Sequence, residues 1–407
     1  MSRPVISAII FIATLGCTVF FVWQVRRIAV RLGLFGRMGD RHLHTRAIPR
    51  LGGVAIFLGF CIGVALSFAL PVTRFPIEVA RIVLMLVAGM VIFFVMLADD
   101  LVELPALPRL LWQFGAAALV VLPRLRGPSS GIVIDSVPNP FHLRVTESLA
   151  LPLAVAIPFT LLWIVGMTNA INWIDGVDGL SSGIVFIASA VLFVHTYFRP
   201  PGNPQFTISL LPLALGAAVL GFLPFNWHPS RIIMGDCGAM FLGFALAVAS
   251  IIGGAKIATT LLVLVVPLLN IAWVILDRLR HGANPMRADR RHLHDRLLDA
   301  GWTQRQVVTA AYTICALFGA IALLFDKRVK FYVFSAMAAV LVVALVILVL
   351  RGPPGTKPRS IGGGDRASRP PEDDVPLLTA AQQTAVRRSL GEKLEVRLIV
   401  GADPPPQ

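Results

Sequence analysis

Residues 149–198 read LALPLAVAIPFTLLWIVGMTNAINWIDGVDGLSSGIVFIASAVLFVHTYF. The runs 149–168 and 180–198 contain no Asp, Glu, Lys or Arg. Each, as a helix, is long enough to cross a hydrocarbon core about 30 Å thick. Between them, 169–183 holds Asn169, Asn172, Asp175 and Asp178 with glycines at 176, 179 and 183. The stretch therefore reads as two membrane helices meeting around a polar loop at one membrane surface.

The same grammar extends in both directions. The 407 residues are 56% hydrophobic and 14% charged, where a soluble chain carries about 25% charged residues. Apolar runs recur at 5–24, 51–70, 79–98, 108–122, 207–223, 237–253, 257–276, 307–325 and 331–350. With the first two they predict an all-α polytopic membrane protein of about 11 transmembrane helices. The fourth run is the weakest, because Arg109 and Arg124 bracket it closely. The run at 5–24 lacks a clear small-residue cleavage site and is read as a retained helix.

Loops after the odd-numbered spans hold sixteen Lys and Arg and the tail nine more, against eleven in the even loops with their flanks and Arg3. By the positive-inside rule the odd loops face the cytoplasm, with the N-terminus outside and the C-terminus cytoplasmic. The even loop 123–148 carries Gly131-Ile-Val-Ile and His142-Leu-Arg-Val around Pro-Asn-Pro, and reads as a small extracytoplasmic β-hairpin. Residues 1–350 form the membrane domain, and 351–407 a cytoplasmic tail, partly disordered, rich in Pro, Gly and charge. The net charge of +14 is mostly arginine in loops and tail. That is the footprint of topology, and it excludes nucleic acid as the favoured partner. The four cysteines have no metal-ligand spacing and read as small buried residues.

Five polar stretches, 41–53, 99–113, 169–183, 225–238 and 289–297, all fall in odd loops and hence on one face. Carboxylates beside membrane spans are expensive unless they bind something, which makes this face the candidate active site. Asp99 and Asp100 end the third span, followed by Arg109 and Gln113. Asn169, Asn172, Asp175 and Asp178 offer hard oxygens suited to Mg²⁺ and to ribose or pyrophosphate. Asp236 opens the eighth span between two glycines, and is either a helix cap or a metal ligand. Arg291, His292 and His294 add cations fitted to phosphate, although as topology they are also simply a positive loop.

In their order, Pro49-Arg-Leu-Gly-Gly, Asp99-Asp100, 169–183, Gly235-Asp-x-Gly and His292-Leu-His resemble the polyprenyl-phosphate N-acetylhexosamine-1-phosphate transferases of glycosyltransferase family 4. These are bacterial enzymes related to the phospho-N-acetylmuramoyl-pentapeptide transferase of peptidoglycan synthesis. The resemblance covers about residues 1–350 and leaves the tail outside. It implies transfer of a HexNAc-1-phosphate, by default GlcNAc-1-phosphate, from a UDP-sugar to undecaprenyl or decaprenyl phosphate, with release of UMP. It implies Mg²⁺, or Mn²⁺ in its place, and a cytoplasm-facing site in the bacterial inner membrane. The partners are the UDP-sugar, the polyprenyl phosphate and membrane lipid, with a homodimer allowed. Carried over by motif, Asp99 acts as base or orients the lipid phosphate, and Asp100 supports it. Asp236 and Asn172 hold the metal, with Asp236 counted among the catalytic acids. Asn169, Asp175, Asp178, Arg109, Arg291, His292 and His294 bind substrate.

Three positions depart from the family's pattern. Ile233 stands where Phe is usual, Ala239 where Ser is usual, and Asp295 follows His294 where a further His is usual. The last departure separates the chain from the muramoyl-pentapeptide enzyme, the alternative reading. A transporter would set its polar residues near mid-membrane rather than at one surface. The run Asp175-x-x-Asp178-Gly opens like the CDP-alcohol phosphotransferase motif, but the downstream acids of that motif are missing.

Overall fold

A computed structural model describes residues 1–35, 48–102, 104–127, 130–138, 148–198, 205–254, 257–280 and 293–325, with scattered positions from 329 to 343. Arg291, His292, the 142–145 half of the expected hairpin, most of the eleventh run and the whole tail lie outside the described residues.

The fold is a bundle of long apolar helices. They are α1 (Arg3–Arg31), α2 (Gly52–Ala69), α3 (Pro76–Val102), α4 (Ala106–Val121), α5 (Leu153–Ile174), α6 (Leu180–Tyr197), α7 (Phe206–Asn226), α8 (Gly235–Ile252), α9 (Ile257–Val263), α10 (Val265–Arg280), α11 (Leu293–Asp299) and α12 (Gln304–Leu324). Among the described residues, nine helices are long and apolar enough to cross a membrane, and the bent pair α9–α10 makes a tenth if taken as one span. The bend is 74°. Pro267, in the first turn of α10, has no N–H for the carbonyl of Val263, and its ring crowds that carbonyl.

The short fourth run gains length at both ends. A 3₁₀ turn, Leu122–Arg126, extends α4, so the segment Ala106–Arg126 has 21 residues. Neither bracketing arginine is left bare in the apolar layer. Arg109 pairs with Asp99 at 3.2 Å, and Arg124 with Asp135 at 3.5 Å. After the 3₁₀ turn, β1 (Ser136–Pro138) pairs antiparallel with β2 (Ser148–Ala150), Val137 opposite Leu149. The ribbon starts beyond Gly131-Ile-Val-Ile, which is not strand. Ile132 and Ile134 are buried, and their backbone amides bond to Val120 O and Thr160 Oγ1. That stretch is packed onto the helices rather than paired in a sheet.

α8 is the axis of the bundle. It is apolar all round and buried along nearly its whole length, as a helix surrounded by other helices must be. α3, α5 and α2 pack on it, while α7 joins α1, α2 and α6. An aromatic cluster ties α2, α3 and α8 together: Phe57 stacks on Phe93 at 4.0 Å and meets Phe241 edge-on at 5.0 Å. At the site end, α2 and α8 approach backbone to backbone at Gly53 and Gly238, with Cys237 Sγ beside them. A Cβ on Gly53 would lie 2.3 Å from the nitrogen of Gly238. This contact brings the loop before α2 against the loop that opens α8.

Candidate active site

The C-terminal ends of α3, α5 and α7 and the N-terminal ends of α2, α4, α6 and α8 converge, and the charged side chains meet there. Asp100, in the last turn of α3, is fully buried. Its Oδ1 accepts the N–H of Asp236 at 2.9 Å and pairs with Arg50 Nη2 at 2.8 Å. Its Oδ2 accepts the N–H of Cys237 at 3.0 Å. A carboxylate from another helix thus caps the first turn of α8, where free amides and the helix dipole favour negative charge. Asp99 Oδ1 accepts from Leu104 N at 2.6 Å, and its Oδ2 faces Arg109.

Asp236 is set differently. Its side chain is 27% exposed, against 4% for Asp99 and 0% for Asp100. Oδ1 accepts from Asn172 Nδ2 at 3.1 Å. Oδ2 lies 3.5 Å from Arg50 and 3.6 Å from Arg109, close enough for attraction and too far for a tight hydrogen bond. Of the three acids, Asp236 alone keeps a substantially exposed side chain.

The loop between α5 and α6 is pinned on every side. Asp175, half-buried, accepts a short hydrogen bond from Ser181 Oγ. Burial, reinforced by Asp236 and Asp100, pushes its carboxyl up to about 8 despite Ser181 and Arg50, so it carries a proton at neutral pH. Asp178 accepts from Ser230 N at 3.1 Å and lies 2.9 Å from His228 Nδ1. Asn226 Oδ1 accepts from Gly179 N and Ser182 Oγ, and its amide donates to Ile232 O. Tyr312 of α12 donates its hydroxyl to Gly179 O at 2.5 Å. Buried His294 lies against the loop, where a Cβ on Gly176 would meet its Nε2 at 3.0 Å. Asn169 donates to Gln113 Oε1 at 2.6 Å and to Val165 O at 2.8 Å, the first of these tying α5 to α4.

Reading the sequence missed Arg50, Ser181, Asn226, His228 and Tyr312 as site residues. Arg50 lay inside a quoted motif and Asn226 and His228 inside a polar stretch, so a signal was present. Tyr312 sits in an apolar run, and nothing in its neighbourhood announces it.

The donor set fits a hard cation. Mg²⁺ is commonly held by one or two carboxylates together with substrate phosphates. The partly exposed carboxylate of Asp236, beside the amide of Asn172, is such a partial shell. Among the described residues no three His, Cys, Asp or Glu side chains gather into a complete cage, so substrate oxygens would have to complete the coordination.

A multi-helix membrane protein with carboxylates, amides and guanidiniums gathered at one end of the bundle is built for charged-substrate chemistry at a membrane surface. The family model of glycosyl transferase family 4 matches residues 82–254, from α3 to α8, which includes all the acids above and leaves Arg50 outside. The chain is 32% identical over 322 residues to a probable undecaprenyl-phosphate N-acetylglucosaminyl 1-phosphate transferase of Bacillus subtilis, covering 78% of this chain and 84% of the relative. It is 31% identical over 366 residues to the decaprenyl-phosphate N-acetylglucosaminephosphotransferase of Mycolicibacterium smegmatis, covering 84% and 88%. A more distant relative is the undecaprenyl-phosphate alpha-N-acetylglucosaminyl 1-phosphate transferase of Yersinia pestis, at 26% over 342 residues, covering 80% and 86%. The chain belongs to glycosyl transferase family 4 and is a membrane transferase.

Proposed function

We propose that the protein transfers N-acetylglucosamine 1-phosphate from UDP-N-acetylglucosamine to a polyprenyl phosphate and releases UMP. The observation that carries this reading is the convergence of Asp99, Asp100, Asp236, Asn172, Arg50 and Arg109 on one point at the end of the bundle. The names and near full-length coverage of the relatives support the same reading. None of those relatives is named for a muramoyl-pentapeptide substrate, so that alternative is not carried further.

An oxygen of the lipid phosphate attacks the β-phosphorus of the nucleotide sugar. A new P–O bond forms there, the bond from that phosphorus to the bridging oxygen breaks, and UMP leaves with the bridging oxygen. Both reactants are anions, so the protein must align them and neutralise charge more than it must supply covalent help. Arg109, aimed by Asp99, presents a guanidinium to the phosphates. Asp236 and Asn172 would hold Mg²⁺, which when bound neutralises charge on the pyrophosphate. Asp175 and Asp178 shape the loop that receives the nucleotide, His294 borders the same loop, and Arg291 and His292, just before it in sequence, would add cations for the phosphates. The site faces the cytoplasm of a bacterium, across its inner membrane from the N-terminus, and the product starts a cell-envelope polysaccharide.

The test is UMP release by the detergent-purified full-length chain with Mg²⁺ and undecaprenyl phosphate, across a panel of UDP-sugars. Release that requires lipid, UDP-N-acetylglucosamine and Mg²⁺ together is the expected result. Release without lipid, or none with any UDP-sugar, overturns the reading.

A further inference from the structure

Pro49-Arg-Leu-Gly-Gly lies outside the matched family region, and the acids alone do not explain its construction. The segment runs beside Ile233 and Met234, immediately before Asp236. Ile233 N donates to Pro49 O at 2.9 Å, Gly52 N to Ile233 O at 2.9 Å, and Gly53 N to Met234 O at 2.8 Å. In the middle, Leu51 holds φ 109° and ψ 17°, the one non-glycine with positive φ among the described residues. Such a conformation in a branched residue persists only where the surroundings enforce it, and it gathers at functional sites. Its effect here is to turn the chain so that Arg50, the residue before it, reaches into the acid cluster while α2 leaves in another direction.

Arg50 is aimed but not used up. Nη2 pairs with Asp100 at 2.8 Å and stands 3.5 Å from Asp236, and 27% of the side chain stays exposed. Asp100 is committed elsewhere as well, with both oxygens on the first turn of α8. The result is a preorganised guanidinium whose Nη2 lies between a structural carboxylate, Asp100, and the partly exposed Asp236, while part of the side chain stays open. A planar fork of this kind matches a phosphate.

We propose that Arg50 is a phosphate-binding residue of the transfer reaction, held on target by the left-handed turn at Leu51. This rests on the proposed function and adds a ligand contact to it. Its target is a phosphate oxygen, from either the polyprenyl phosphate or the nucleotide's pyrophosphate.

The test compares wild type, Arg50→Gln and Arg50→Lys as full-length proteins in detergent. KM and kcat are measured against undecaprenyl phosphate and UDP-N-acetylglucosamine separately. Binding of UDP-N-acetylglucosamine by calorimetry and the melting temperature are measured alongside. Loss of a charge-assisted contact predicts a fall in kcat/KM of about 10- to 100-fold in Arg50→Gln, with KM raised for one substrate. Arg50→Lys should recover part of the loss. A KM rise for the lipid alone, with calorimetric affinity unchanged, assigns the lipid phosphate, and weakened nucleotide binding assigns the pyrophosphate. If Arg50→Gln leaves both KM values and nucleotide binding unchanged, whatever happens to kcat or melting, Arg50 is only a brace for Asp100 and the inference is overturned. A wild type that releases no UMP would overturn the proposed function itself, and this inference with it.

Discussion

At the scale of single residues, the three acids are chemically alike and placed for different work. The Asp100 side chain has no exposure, and both its oxygens carry structural bonds; the Asp236 side chain stays partly exposed. Asp236→Asn should therefore nearly abolish UMP release while leaving the melting temperature in detergent close to wild type. Asp100→Ala should do the reverse in emphasis. It strips two amides of α8 of their acceptor and leaves Arg50 without its closest partner, at a cost of about 2–4 kcal/mol once the partial exposure of Arg50 is discounted. A melting temperature unchanged in Asp100→Ala would refute the capping role. Asp175 yields a pH test. Its folded pKa, about 8, stands above the ordinary value of 3.8. The stability it contributes is complete below about pH 4 and is lost as pH rises towards 8. Melting temperatures of wild type should fall across pH 5 to 8 more steeply than those of Asp175→Asn; parallel curves would mean Asp175 is already ionised.

At the scale of elements, the site exists because helices approach closely enough for loops to interlock. A Cβ on Gly53 would lie 2.3 Å from Gly238 N and 2.4 Å from its Cα, which are backbone atoms with no room to yield. Gly53→Ala should separate α2 from α8, pull the Pro49–Gly53 segment off Ile233 and lower the yield of folded protein. Gly115→Ala on α4, with nothing within 4 Å, should be tolerated. Size-exclusion profiles of the two variants in detergent would decide it, equal profiles counting against the packing account.

The helices themselves were legible in the sequence. Apolar runs of membrane length have few alternatives, and every described run became helix. The polar stretches announced which ends would meet. Hydropathy could not reveal the bend at Leu264, where a proline breaks a run that reads as continuous. The β ribbon shifted because Ile132 and Ile134 have the pattern of a strand but find their burial and hydrogen bonds against helices. Arg50 and Tyr312 were missed for a related reason. Their partners, Asp100 and Gly179, are remote in sequence, and only packing brings them together.

For the molecule as a whole, the sidedness of the site is the open consequence. The acids lie at the C-terminal ends of α3 and α5 and at the N-terminal end of α8, while the α2–α3 turn lies at the opposite ends of those helices. The proposed reaction requires the site end in the cytoplasm, the side on which the positive-inside rule expects the more basic loops. That assignment is not trivial, because the opposite end also holds Arg74, Arg81 and Arg124, one of them paired to Asp135. Impermeant maleimide applied to intact cells separates the two orientations. A cysteine at exposed Thr73, in the α2–α3 turn, should be labelled from outside, whereas one at exposed Ala300, between α11 and α12 at the site end, should react only after the membrane is opened. The native cysteines are buried or half-buried, and the protein without added cysteine serves as the blank. The reverse pattern would put the acids outside, beyond reach of a cytoplasmic nucleotide sugar. The proposed reaction would then fail on topology alone, however well the site is formed.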